Sequence, residues 1–130
     1  MATGTVNAQD ADAHYTRAQL KFAMGDYEGA IVDYTETLKL NDNDPQAYYQ
    51  RGRAKFAQNN FLGAIDDYTQ AVTLNPYYVE AFRDRGNARE RLGDLTNAKL
   101  DFLKVLMLSP NHPQAAYIWG KLAKWKSVTG

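Results

Sequence analysis

The sequence predicts an all-α fold, an α-solenoid of three helix–turn–helix hairpins closed by a seventh helix. Two observations carry this. The chain repeats itself every 34 residues without an insertion: Ala18, Gly52 and Gly86 share one register, Ala30, Ala64 and Ala98 a second, Tyr34, Tyr68 and Phe102 a third. Self-similarity at such a period marks a stacked array, because each unit exposes an apolar stripe that only its neighbours can bury. The repeats are also punctuated by residues that end and begin helices. Gly25-Asp26, Asn59-Asn60 and Gly93-Asp94 stand at their middles; Asp44-Pro45, Pro76 and Pro110 stand at their joints.

In chain order, Met1 to about Gln9 is small and polar, without apolar periodicity, and residues 1–10 read as a disordered lead-in. The first repeat, residues 11–44, offers helices over Ala11–Met24 and Tyr27–Leu40. Gly25 between them can take the positive φ of a helix C-cap, and Asp26 can cap the next helix through its carboxylate. The second repeat, 45–78, offers Pro45–Gln58 and Phe61–Leu74. Its Asn59 and Asn60 preserve the turn, since Asn also enters the left-handed region and caps well. The third repeat, 79–112, offers Val79–Leu92 and Leu95–Leu108. Asp44 before Pro45 is an N-cap ahead of a proline at the first helical position, where the missing N–H costs nothing; His112 before Pro113 repeats this less well. Residues 113–127 read as a capping helix, with Ala116, Trp119, Gly120 and Ala123 as its apolar face and Lys121, Lys124 and Lys126 as its polar one. Gly120 keeps the small-residue register, but no partner helix follows.

Composition narrows the function. Fifteen bases cancel fifteen acids, which argues against a nucleic-acid or membrane binder driven by net charge. The charge is graded, however: residues 1–44 carry eight acids and three bases, whereas residues 113–130 carry three lysines and no acid. With no cysteine, disulfides and thiolate chemistry are excluded. No apolar run approaches the ~18–20 residues of a membrane span, and Met1–Asp10 lacks the features of a secretory leader, so a cytoplasmic protein is expected.

The pattern of a small residue at place eight, Ala at twenty, an aromatic at twenty-four and Pro at thirty-two resembles the tetratricopeptide repeat. The resemblance covers about residues 11–127. It implies a right-handed superhelix whose first (A) helices line a concave groove that holds a peptide or helix of another protein. Carried over place by place, that groove would use Tyr15, Thr16, Gln19 and Phe22, then Gln46, Tyr49, Gln50, Arg53 and Phe56. From the third repeat it would use Glu80, Arg83, Asp84, Asn87, Glu90 and Arg91, and from the cap Tyr117, Lys121 and Trp125. Phe22 and Phe56 could equally pack on Tyr27 and Phe61 of their own hairpins; Tyr15, Tyr49 and Arg53 are expected to be exposed to the groove. Family members that grip a chaperone C-terminus use a carboxylate clamp of Lys, Asn and Arg. Those places here hold Tyr15, Gln19, Gln50, Glu80 and Asp84, so clamp activity is not expected.

One regularity goes beyond the shared pattern. Arg17, Arg51 and Arg85 recur at place seven and Asp33, Asp67 and Asp101 at place twenty-three, while the cap, which has no second helix, carries Trp119 in the arginine register. This implies structural ion pairs between A and B helices, within or between repeats, since a guanidinium can meet a carboxylate through two parallel bonds. The functional alternative is an arginine ladder for an anionic ligand.

Catalysis is not expected. His14 and His112 lie at opposite ends of the array; Asp66 and Asp67 point about 100° apart on one helix; no phosphate-binding glycine motif occurs. No metal, cofactor or small-molecule substrate is expected. The leading reading is a protein–protein interaction module, an adaptor, scaffold or assembly factor. The alternatives are self-assembly through acidic and basic ends into a homo-oligomer, and a weak RNA or DNA binder whose basic face Glu80, Asp84 and Glu90 would interrupt. The wording of the repeats hints at a bacterial source.

Overall fold

Among the described residues seven helices follow one another: α1 Ala8–Ala23, α2 Tyr27–Leu40, α3 Pro45–Ala57, α4 Phe61–Leu74, α5 Val79–Arg91, α6 Leu95–Leu108 and α7 Ala115–Thr129. The structure, a computed structural model, describes residues 8–129, with side chains for residues 9–126; residues 1–7, most of the expected lead-in, lie outside it. Ala8–Asp10 belong to α1 rather than to the lead-in. Alanine and glutamine are good helix formers, and Asp10 sits in the first turn, where a negative charge faces the positive end of the helix dipole. The last helix starts two residues later than the sequence suggested. His112 Nδ1 accepts the Gln114 N–H at 3.0 Å, which holds Pro113 and Gln114 in a turn ahead of it.

The three hairpin turns share one geometry. Gly25, Asn59 and Gly93 take φ of 83°, 63° and 81°. The next residue's N–H then reaches back five places, from Asp26 to Lys21, Asn60 to Lys55 and Asp94 to Arg89, at 2.8, 2.9 and 2.9 Å. Its side chain turns forward and accepts the N–H of Gly29, Gly63 or Asn97. Both helix ends are therefore satisfied by two residues. At the next joint Asp44 accepts from Gln46 and Ala47, whereas Tyr78 ahead of α5 makes no side-chain cap.

Close approach of paired helices is set by the small residues. A Cβ added to Gly52 would stand 2.7 Å from a Tyr68 ring carbon, and one on Gly86 would stand 3.0 Å from the Phe102 ring. Ala18, Ala30, Ala64 and Ala98 are wholly buried, as are the rings of Tyr34, Tyr68 and Phe102 that fill the space between hairpins.

An ionic seam ties each hairpin together. Arg51 donates from Nε to Asp67 Oδ2 at 2.9 Å and from Nη2 to Oδ1 at 2.7 Å. Arg85 meets Asp101 the same way at 3.0 and 2.7 Å, and Arg17 meets Asp33 at 3.1 and 3.1 Å. The pairs lie within a repeat. A second cation one helical turn on, Lys21, Lys55 or Arg89, reaches the same carboxylate at 2.8, 3.0 or 2.8 Å. The remaining arm of Arg51 donates to Thr35 Oγ1 of the preceding hairpin, and that of Arg85 to Thr69 Oγ1, each at 3.2 Å. One guanidinium thus fastens its own hairpin and the joint before it. Burial alone would push the Asp33 carboxyl up, but hydrogen bonds from Arg17, Lys21 and His14 outweigh it and hold the group at about 2.

The face of α7 differs from the sequence reading. Ile118 and Trp125 are buried, with Ala115 and Leu122 packed beside them, while Ala116, Trp119, Gly120 and Ala123 are exposed. A Cβ on Gly120 would meet nothing within 4 Å, so this glycine presses on no helix among the described residues, although Lys121 keeps the A-helix register by meeting Glu90. The helix turns its larger apolar groups inward, and the Trp125 ring comes to 5.9 Å from Phe102. Among the described residues no helix is long and apolar enough to cross a membrane.

Candidate functional site

The face shared by α1, α3 and α5 opens into a cavity of about 350 Å³ lined by Phe22, Arg53, Phe56, Ala57, Tyr68, Arg83, Asp84 and Asn87. Its position follows from the repeat. Place nine of an A helix lies about 100° round from the glycine pressed on the neighbouring ring, and places twelve and thirteen about one turn further along, so together they reach the open side of the hairpin. Phe22 and Phe56 do both jobs weighed from the sequence. They pack edge-on against Tyr27 and Phe61, centroids 5.2 and 5.0 Å apart, and their free faces line the cavity.

The polar groups of this face divide into tied and untied. Asp84 is tied: Tyr49 Oη donates to its Oδ2 at 2.6 Å and Arg83 Nε to its Oδ1 at 2.9 Å. Lys121 is tied to Glu90 and lies over the rings of Phe102, Tyr117 and Trp125. Arg53 has only a neutral partner, Gln50 Oε1 at 2.8 Å, and its guanidinium lies 4.8 Å over the Phe22 ring. Arg91 stacks on Phe61 at 4.7 Å and Phe56 at 5.8 Å. Among the described residues neither arginine meets a carboxylate within ion-pair distance, and the Asn87 amide has no hydrogen-bond partner. A face with two uncompensated guanidiniums, one open amide and aromatic floor can hold charge and backbone hydrogen bonds. Asp84, with a donor on each oxygen, is placed as an anchor rather than a base.

Arg53, Arg83, Asp84 and Asn87 thus share one cavity, and Arg91, Asn87 and Lys121 border a second depression beside it with Phe56 and Glu90. Tyr117 is exposed and lines a third, with Asn87 and Phe102 among its other walls. Tyr15 and Gln19 lie outside the main cavity. The Tyr15 ring stands edge-on to Tyr34 at 5.6 Å, and Gln19 is exposed. Burial, followed by the nearby Asp44 charge, pushes the Tyr15 hydroxyl up.

Two expectations are corrected. Tyr49 does not face the groove: it is 7% exposed, its ring wedged 5.7 Å from Tyr68 and 5.0 Å from Tyr78, and it acts from below by pinning Asp84. Burial and the Asp84 carboxylate both push its hydroxyl far up. Trp125 is buried at 6% exposure and closes the core instead of lining the groove. Ala57 was missed, although it stands at place thirteen of the second repeat, where the groove register would put it. Tyr68, read as core only, also lends an edge to the cavity.

Family profiles match most of the chain: one described as TPR repeat over residues 18–59 and again over 52–93, and one described as Tetratricopeptide repeat over residues 80–112. Among solved structures, the first TPR of Spaghetti (RPAP3) bound to HSP90 peptide SRMEEVD is 32% identical, with a TM-score of 0.87; the match covers 94% of this chain and 97% of that one. The second TPR domain of human RPAP3 in complex with HSP70 peptide SGPTIEEVD is 34% identical over 88% of this chain and 96% of that one, with a TM-score of 0.82. The Arabidopsis OM64 TPR domain is 28% identical, covering 89% and 96%, with a TM-score of 0.84. No curated protein matches at the level of sequence.

Proposed function

Since the chain belongs to the tetratricopeptide-repeat family, we propose that it is an adaptor or assembly factor that binds a segment of another protein along the α1–α3–α5 face. The observation that carries this is the cavity of about 350 Å³ in which the Asn87 amide has no hydrogen-bond partner among the described residues and Arg53 meets only the neutral Gln50 amide. Buried-rim polar groups left open beside apolar rings are what an interface core and its rim require. The two RPAP3 domains hold acidic chaperone peptides. Here the five clamp places hold Tyr15, Gln19, Gln50, Glu80 and Asp84, and two acids would repel a terminal carboxylate, so the ligand is held by other groups. The test is a photo-crosslinking amino acid placed at Ala57, in the cavity, or at Leu62, which is 69% exposed outside it. A partner captured in cells from position 57 and not from position 62 supports the reading; equal capture, or capture from 62 alone, refutes it.

A second reading, head-to-tail self-assembly, is favoured by Leu20. It is 61% exposed, whereas Ala54 and Ala88 in the same register are wholly buried by the preceding hairpin. Acids of the first repeat would meet lysines of the last. Against it, Leu103 stands where Thr35 and Thr69 accept the arginine of the next hairpin, so Arg17 of a second copy would find no hydroxyl. Sedimentation at low and high salt separates the two readings, because association through exposed charges fades as salt rises.

A further inference from the structure

The joints between A helices obey a rule that is broken in the middle. Place twelve of one repeat meets place nine of the next, which pairs Phe22 with Arg53, Phe56 with Asn87 and Glu90 with Lys121. The first pair is closed by a guanidinium 4.8 Å over the ring, and the last by an ion pair. The middle pair is closed by nothing: Phe56 and Asn87 line both the main cavity and the depression beside it, and the Asn87 amide bonds to no described residue. On either side of this open joint stands a cation without a carboxylate, Arg53 on α3 and Arg91 on α5.

From this geometry we infer that the middle joint receives an extended acidic segment of a partner, read through side-chain carboxylates and not through a chain terminus. The inference rests on the groove reading above and names its ligand. Each guanidinium lies over an aromatic ring, Arg53 at 4.8 Å from the Phe22 centroid and Arg91 at 4.7 Å from that of Phe61. A ring occupies the face of a guanidinium and leaves N–H groups on its edge for a carboxylate. On Arg53 one of these, Nη1, already donates to the neutral Gln50, which leaves Nε and Nη2 for two parallel bonds. The ring also fixes the arginine rotamer beforehand, so less ordering remains to be done on binding. Asn87 carries both a carbonyl and an amide, which suit the N–H and C=O of a strand-like backbone passing over Phe56. Adjacent helix axes lie about 8–10 Å apart and an extended chain advances roughly 3.3–3.6 Å per residue, so acids two or three residues apart span the two arginines. The other cations of this face are already spent, Arg83 on Asp84 and Lys121 on Glu90.

The test is selection from a random dodecamer library displayed at the N-terminus of a phage coat protein, where no peptide has a free C-terminus. Enriched peptides should carry at least two Asp or Glu within four residues. Resynthesised with C-terminal amides, they should bind by fluorescence anisotropy and lose at least tenfold in affinity when the acids become Asn or Gln. Arg53→Gln and Arg91→Gln should each remove most of that tenfold preference, whereas Lys39→Gln, a charge loss on the exposed side of α2, should leave it unchanged. Circular dichroism confirms that the variants are folded. Selected peptides without acidic enrichment, whose binding is nevertheless lost in Asn87→Ala, would overturn the acidic ligand and keep the groove. Binders indifferent to Asn87→Ala, or no binders at all, would overturn both.

Discussion

Replacing Arg51 by methionine removes the bidentate bond to Asp67 while keeping most of the side-chain stem. Arg51 is 18% exposed and Asp67 is 4% exposed, so the carboxylate left behind cannot be rescued by water. Breaking a buried ion pair from one side costs about 3–5 kcal/mol. Here Lys55 still holds Asp67 at 3.0 Å, which brings the expected loss for Arg51→Met to roughly 2–3 kcal/mol, about 10 °C in melting temperature for a chain of this size. Asp67→Leu alone strands two cations and should cost a similar amount. The double variant leaves no unpaired carboxylate, so it should be less destabilised than the sum of the singles by at least ~1.5 kcal/mol. Arg17→Met is the internal control: the Arg17 side chain is 54% exposed and lacks a threonine partner, so its loss should be clearly smaller than that of Arg51→Met. Urea unfolding followed by circular dichroism measures all four, with an unchanged m-value required because short repeat arrays can unfold in parts. Equal losses for Arg51→Met and Arg17→Met, or additive single variants, would refute the assignment of the seam as a buried, load-sharing network.

Three further outcomes follow from the geometry. Gly52→Ala gains about 1 kcal/mol of helix propensity but drives a Cβ to 2.7 Å from the Tyr68 ring, an overpacking cost of about 1–3 kcal/mol; it should be neutral to destabilising by thermal melt, whereas Gly120→Ala, in open space, should gain up to about 1 kcal/mol. At Asn59, with φ of 63°, Ala should cost about 1 kcal/mol and Gly should cost nothing or stabilise slightly; equal stability of the two would contradict a strained turn. Asp33, held at about 2 against an ordinary 3.8, contributes stability that is complete above pH 4 and lost as pH falls towards 2. Acid titration of stability should therefore be shallower over that window in Asp33→Asn than in the wild type.

Much of the fold was legible because its determinants are local and occur three times. The two-residue turns, the prolines and the small residues under Tyr34, Tyr68 and Phe102 each act within one hairpin, and repetition separates such signals from chance. The seam was legible for the same reason: Arg51 and Asp67 stay 16 residues apart in every copy. Its second cations, Lys21, Lys55 and Arg89, were just as readable, four places after each arginine, yet were passed over. What could not be read was set by non-local contact. Tyr49 is buried because Tyr78, from the following joint, closes over it and Asp84 takes its hydroxyl, neither of which its own helix announces. The buried face of α7 is set by Ile118 and Trp125, which bury far more apolar area than Ala116, Gly120 and Ala123 would. The groove residues were legible as a set through resemblance, but which of Arg53, Arg83 and Lys121 already have partners required the packed neighbours.

Whether the α1–α3–α5 face holds a partner is measured most directly by ¹H–¹⁵N spectra of the protein titrated with a display-selected, C-terminally amidated peptide. The side-chain resonances of Asn87 and Arg53 should shift first and furthest, with the backbone amides of Leu62 and Leu100 on the outer surface unmoved. Shifts centred on the outer faces of α2, α4 and α6, with the Asn87 amide unchanged through saturation, would contradict it.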